Sequence, residues 1–223
     1  RVSAGAGADP ARTPFETLRI EDGRPVRGAA HLARLAASAR VLGVPFDGVA
    51  AAAALVDTPR GVWRARLTLH PDGRLEIERW PFRPDPPGVV VPVGWASEVV
   101  RSGDPARRHK TRDRGLYDRG AALARAQGWA DALFLNERGE VVEGAISTVV
   151  AELEGVRLTP PVGAGALPGV LRATLLRRGL VREGSFGPDE LARASRLWLA
   201  SSLRGLRRAR MANETRASGA GTG

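Results

Sequence analysis

Lys110 is the only lysine in this chain of 223 residues and stands beside 33 arginines. Solubility, phosphate contacts and surface ion pairs are all within arginine's reach. A neutral amine near neutral pH is not, because the guanidinium stays protonated. A Schiff base with a carbonyl compound needs that amine as its nucleophile. The count alone leaves two readings open, a functional amine or a leftover surface cation. A background rich in Arg, Ala, Gly and Pro would strip out lysines whatever they did. The neighbourhood weighs more. Lys110 lies in His109-Lys110-Thr111-Arg112-Asp113-Arg114, between an extended stretch and a helix. Burial and the adjacent cations would both lower its pKa.

Four other features bear on the same chemistry. Glu143 follows an apolar strand and precedes Gly144. Gly169-Val170-Leu171 opens a helix, where free N–H groups favour an anion. Ser201-Ser202 follows the apolar run Leu197–Ala200 and offers hydroxyl and backbone donors, and Arg34 can grip an anion with two parallel bonds. Each is commonplace alone: a turn acid, an ordinary helix start, a solvated cation. Together they meet the four demands of pyridoxal 5'-phosphate. That cofactor needs a lysine for its aldehyde, a carboxylate for its ring nitrogen, donors for its phosphate, and a wall that fixes the reacting face.

The elements that must position these residues are legible. Phe15–Ile20 and Arg24–Arg27 read as a hairpin about the turn pair Asp22-Gly23. A helix follows over about 29–42, with Leu32, Leu35, Ala39 and Leu42 on its apolar stripe and His31 and Arg34 on another face. Gly43 stops it, and Asp47 caps an Ala-rich helix to about Val56. Residues 62–69 alternate and turn through Pro71-Asp72-Gly73 into Leu75–Trp80. The proline-rich stretch Pro81–Pro92 reads as an extended linker, so the domain boundary falls near residue 90. A small N-terminal α/β domain (1–90) then precedes a larger C-terminal one (91–223). Beyond the linker we expect an extended stretch Val93–Val100 and a helix from Asp113 to Gln127. Strands follow at Asp131–Asn136, Glu140–Val142, Ile146–Leu153 and Val156–Thr159. A helix begins near Pro168, a short one at Pro188, and a buried strand spans Arg196–Ala200. The small, polar residues from about 211 on are expected to fray.

Composition narrows the function classes. Hydrophobic residues make up 43% of the chain, enough for a substantial core. No run of eighteen apolar residues occurs, so no spanning helix is expected. The start, Arg1–Gly7, has no apolar core, so no signal peptide is expected, and the missing initiator Met suggests a trimmed start. The absence of cysteine excludes disulfides and thiolate chemistry and suits a cytoplasmic location. The formal charge of +10 would suit nucleic acid, but the cations are dispersed and aromatics are only 5%, too few for a stacking platform. No nucleic-acid or membrane partner is expected. A basic binding protein stays open as the reading from another class, and it would be colourless.

Several motifs, in order, resemble the class IV (fold type IV) aminotransferases. They are Phe15-Glu16-Thr17-Leu18-Arg19, His31-Leu32-Ala33-Arg34-Leu35, Lys110-Thr111 with Arg114 and Tyr117, and Glu143-Gly144-Ala145-Ile146-Ser147 after strand 131–136. Leu167–Arg172 and Ser202–Leu206 complete the set, which covers residues 14–208. The resemblance implies an α+β, two-domain fold like that of the D-amino-acid aminotransferases. It implies that Lys110 forms the Schiff base and shuttles the proton, and that Glu143 pairs with the ring nitrogen. It places Arg34, Val170, Leu171 and Ser202, with Ser201 and Ser147 beside them, around the phosphate. Thr17 and Arg19 would face the substrate cleft, Thr17 acting beside Lys110. Arg19, Arg114 and Arg204 become candidate partners for substrate carboxylates, against the bland reading of surface solvation. A homodimer is implied too. Within the family the pattern is most similar to the aminodeoxychorismate lyases. A transaminase for branched-chain or D-amino acids would share the same cofactor residues.

Overall fold

The computed structural model describes residues 9–212. Strands β1 (Phe15–Glu21) and β2 (Arg24–Pro25) form the first hairpin. Both turn residues have positive φ, 47° at Asp22 and 75° at Gly23, which the twist of a two-residue hairpin requires. Helix α1 (Gly28–Leu42) ends at Gly43 in the left-handed conformation, and the Asp47 carboxylate accepts the amides of Val49 and Ala50 to start α2 (Gly48–Val56). Strands β3 (Val62–Leu69) and β4 (Leu75–Pro81) complete a four-stranded sheet ordered β2-β1-β3-β4. Its period-2 alternation separates two faces. Leu18, Ile20, Ala65 and Leu67 are buried, with Leu35, Ala39 and Leu55 in the same apolar clusters. The other face carries Phe15, Thr17 and Arg19, paired in register with Thr68, Arg66 and Arg64.

The second sheet has eight strands. In chain order the remaining elements are β5 (Val90–Val100), α3 (Gly115–Ala126), β6 (Asp131–Asn136), β7 (Val141–Gly144), β8 (Thr148–Leu153) and β9 (Val156–Thr159). Then come α4 (Val170–Arg177), β10 (Arg182–Glu183), α5 (Pro188–Ala192), β11 (Arg196–Ser201) and β12 (Gly205–Met211). The sheet order is β10-β9-β8-β11-β12-β5-β6-β7. One side is closed by the cluster of Val93, Leu133, Val149 and Leu199. Leu171, Leu175, Trp198 and Ala200 form a second cluster, which clamps α4 to β11. Burying each such side chain stabilises the fold by about 1.5–3 kcal/mol. The α+β class expected from the sequence is the one observed.

The departures have local causes. Strand β5 starts at Val90, inside the expected linker, because Pro92 contributes only its carbonyl, which accepts the Ala130 amide at 2.8 Å. Helix α4 begins two residues after Pro168, at Val170, with Gly169 as its N-cap in extended conformation. Strand β8 starts at Thr148 rather than Ile146, since residues 145–147 bend around a buried acid described below. Strand β12 is not anticipated at all: its three arginines hide an alternation that buries Ala209. Fraying does not begin at 211: Met211 closes that strand and the Ala212 amide donates to Val93 O at 2.7 Å, while residues 213–223 lie outside the described residues, as does Arg1–Gly7.

Candidate active site

Lys110 is held by backbone rather than by its neighbours' side chains. The Phe15 amide donates to the Lys110 carbonyl at 2.8 Å, the Arg112 amide donates to Thr13 O at 3.0 Å, and Pro14 bridges Thr111. The segment leading into β1 therefore stitches the lysine loop to the first sheet. The Lys110 amine lies 4.7 Å from the centre of the Phe15 ring. Desolvation, helped by Arg114 and Arg34 and opposed by Glu16 and Glu143, lowers its pKa from 10.5 to about 7. The residue keeps partial surface exposure, but its amine is enclosed by protein. A cation that remains charged beside an aromatic face would gain from it; here the loss of hydration outweighs that gain. Because the chain has one lysine, labelling lysine with carbon-13 at Cε gives one resonance, which should titrate near pH 7 instead of near 10.5. The unfolded chain then binds the extra proton between these values, so stability rises with pH across that interval.

Glu143, at the end of β7, is 6% exposed. Its Oε1 accepts the Tyr117 hydroxyl and its Oε2 accepts the Leu167 amide at 3.1 Å. Burial raises its pKa despite those donors and despite the charges of Lys110 and Arg107. Burial, and secondarily this carboxylate, raise the Tyr117 hydroxyl well above its ordinary value. A carboxylate whose desolvation is so incompletely offset gains from any cationic N–H brought to it.

Helix α1 is the hub. His31 and Arg34, one turn apart, both reach the buried Glu16 of β1. His31 Nδ1 lies 2.7 Å from Glu16 Oε2, and Arg34 donates through Nε at 2.8 Å and Nη2 at 2.6 Å. Each then bridges to the second sheet's side of the molecule. His31 Nε2 contacts Ser202 Oγ at 2.7 Å, and Arg34 Nη1 donates to Pro168 O at 3.1 Å. Ser202 and the turn that opens α4 at Val170 and Leu171 are thus drawn together by one helix. This also explains why His31 is 1% exposed although it lies off the apolar stripe. Its two ring nitrogens are both satisfied, so its burial costs little.

The other candidates are distributed as follows. Ser201 Oγ accepts the Arg204 amide at 3.1 Å, fixing the turn after β11. Ser147 donates to Asp131 Oδ2 at 2.5 Å, and Asp131 also accepts the amides of Ala132 and Ile146. Desolvation lifts Asp131 to about 6 in spite of these donors. It is the acid that shapes the bend after Glu143. Thr17 is half-buried on β1, directly across from Arg66. Arg19 lies 3.0 Å from Glu21, off the line a hydrogen bond needs. Arg114 is engaged by Asp118 at 3.0 Å and by Ala145 O at 2.9 Å. Arg204 meets Asp85 through both carboxylate oxygens, at 3.2 and 3.3 Å.

Glu16, His31, Tyr117 and Asp131 were visible only as members of motifs. Glu16 carried a signal: an acid at a core-facing position between Phe15 and Leu18, in a strand that otherwise buries apolar residues there, requires a partner.

The class IV amino-transferase family model matches residues 13–211. A Mycobacterium tuberculosis protein named bifunctional aminodeoxychorismate lyase / D-amino acid transaminase is 29% identical over 229 residues, covering 85% of this chain and 78% of the relative. The crystal structure of a candidate amino-acid aminotransferase from Mesorhizobium loti is 36% identical, with a TM-score of 0.85 over 90% of this chain and 99% of that one. The PLP-bound form of a hypothetical aminotransferase from Mycobacterium tuberculosis shares the fold at 23% identity, with a TM-score of 0.73 over 95% of this chain and 87% of that one. Lys110 on its pinned loop and Glu143 at a strand end thus lie in a scaffold matched almost end to end: this chain belongs to the class IV aminotransferases.

Proposed function

We propose that this chain holds pyridoxal 5'-phosphate on Lys110 and converts 4-amino-4-deoxychorismate to 4-aminobenzoate and pyruvate. The observation that carries the cofactor reading is the enclosed Lys110 amine, lowered to about 7, within reach of the charge of the buried Glu143. The donor set fits the group. It comprises an amine that is half neutral at physiological pH, a carboxylate short of a cation, the first-turn amides of α4, and Ser202 beside Arg34's helix. The family is pyridoxal-phosphate-dependent, which supports the same reading. Support for the lyase comes from the bifunctional relative's name and from the motif pattern.

When bound, the cofactor supplies an electron-withdrawing ring that stabilises charge developing at the carbon next to the substrate's amine. Everything else falls to the chain. Arg34, Ser202 and the amides of Val170 and Leu171 would hold the phosphate, with Ser201 and Ser147 shaping the turns around it. Glu143 would accept the ring N–H and keep that nitrogen protonated. Lys110 Nζ would take the proton from the substrate ring carbon that bears the amine. Its lowered pKa leaves it neutral enough to do so. The electron pair released at that carbon would expel the enolpyruvyl group from the adjacent carbon, and that group, taking up a proton, leaves as pyruvate. Thr17, on the face next to Phe15, would border the cleft. A homodimer in the cytoplasm is the working form in this reading, and sedimentation of the purified protein tests the assembly.

A transaminase is the second reading, favoured by the likeness to the Mesorhizobium loti aminotransferase structure. One assay separates the two. With aminodeoxychorismate and no amino acceptor, the lyase releases pyruvate and 4-aminobenzoate in equal amounts. Amino transfer to an added 2-oxo acid, with no pyruvate released from aminodeoxychorismate, establishes the transaminase instead.

A further inference from the structure

The arginines first considered for substrate carboxylates already have acidic neighbours: Glu21 beside Arg19, Asp118 beside Arg114 and Asp85 beside Arg204. Two others do not. Arg64 and Arg66 project from the same face of β3, and none of the ion pairs among the described residues engages either. Their Nε atoms are buried with no hydrogen-bond partner, and so is the hydroxyl of Thr68, a residue only 1% exposed on that same face. Leaving three polar groups buried and unsatisfied side by side is costly, unless a ligand completes them.

The surroundings say what kind of ligand. The Arg66 guanidinium stacks 5.2 Å from the Phe15 ring centre and 6.0 Å from Trp80, while Arg64 lies 5.2 Å from Trp80. Aromatic faces hold the two cations without using up their N–H donors, and a guanidinium's fork of donors matches a carboxylate's geometry. Glu78, opposite Arg66 in register, makes no ion pair with either arginine among those of the described residues. Burial lowers the Arg64 pKa, followed by repulsion from Arg66 and Arg204, and the charge of Glu78 offsets this only in part, so a further anion would relieve positive charge. The same Phe15 ring lies 4.7 Å from the Lys110 amine. The anion subsite and the reacting amine are therefore neighbours across one aromatic ring.

We propose that Arg64 and Arg66, with Thr68, receive a carboxylate of the substrate remote from its reacting amine, so that the enzyme selects amines bearing two carboxylates. This rests on the reading of Lys110 as the reacting amine. A monocarboxylic amine with an alkyl tail would leave the two buried Nε atoms and the Thr68 hydroxyl unpaired, and a site built for a polar group rejects analogues that lack it.

The test uses isophthalate, a ring with two carboxylates, against benzoate, measured by calorimetry on the protein with and without pyridoxal phosphate. Isophthalate should bind about tenfold tighter or more, the scale of a charge-assisted hydrogen-bond pair. Arg66→Gln and Arg64→Gln should each reduce that preference to within about twofold while leaving the benzoate affinity and the cofactor's absorption unchanged. Arg66→Lys, which keeps the charge, should retain part of it. Equal affinities in the unaltered protein, or a preference that survives both glutamine variants, overturns the proposal. Melting curves confirm folding, and if one variant does not fold the other carries the test. A protein that never takes up the cofactor but still prefers the diacid contradicts the Lys110 reading and not the subsite.

Discussion

Replacing Lys110 by arginine should leave a folded, colourless protein whose turnover falls by a factor of about 10³ or more, the scale of losing both a covalent anchor and a general base. The substitution keeps a basic side chain of approximately the same length. What it removes is a group able to become neutral. In this site Lys110 does so near pH 7, because its amine is desolvated and crowded by Arg114 and Arg34. A guanidinium in the same enclosure remains charged. The loop itself should hold, since the contacts that fix it are backbone bonds from Phe15 and Arg112 that no side-chain change touches. Circular dichroism and a cofactor absorption spectrum, taken beside the turnover assay, check all three parts.

Glu16→Ala should destabilise the protein by about 3–5 kcal/mol, the cost of removing one partner from a buried ionic group. Glu16 is 1% exposed and accepts two bonds from Arg34 and one from His31. Burial alone would raise its pKa, but Arg34 and His31 outweigh burial and hold the carboxyl below its usual range. The associated stability is therefore present above the carboxyl's unfolded pKa and is lost as the pH falls through the folded one. The alanine variant should lose that acid dependence. Because His31 and Arg34 extend to Ser202 and Pro168, it should also take up pyridoxal phosphate more weakly. Glu16→Gln keeps the volume and one acceptor and should cost less. Urea unfolding of the three proteins, repeated at two pH values, measures each difference. Equal stability of all three would mean that the α1 hub is not a stabilising unit.

Local structure was legible in the sequence wherever one rule dominated. The Asp22-Gly23 turn, the Gly43 stop, the Asp47 cap and the alternation of residues 62–69 all appear where pattern and turn chemistry place them. Strand β12 was not legible, because arginine stems can cover a sheet face while their charges mask the alternation. Pro92 read as linker because a proline's missing N–H is harmless in a strand only when its neighbours need its carbonyl alone, and that is a tertiary fact. At the site, residue types pointed to Lys110, Glu143, Arg34 and Ser202, and the structure brings the last two onto one helix's contacts. Which arginines are free could not be read from sequence. Arg19, Arg114 and Arg204 look the same as Arg64 and Arg66 until Glu21, Asp118 and Asp85 are seen beside the first three.

One amine is available to carry the cofactor, because the chain has a single lysine. Borohydride added to the purified protein loaded with pyridoxal phosphate, followed by proteolysis and mass spectrometry of the peptides, reports where the cofactor is attached. The account predicts loss of the yellow colour and a phosphopyridoxyl group on the peptide containing Lys110, absent from the Lys110→Arg variant. A protein that stays colourless with the cofactor, or a variant that remains yellow and active, would contradict it.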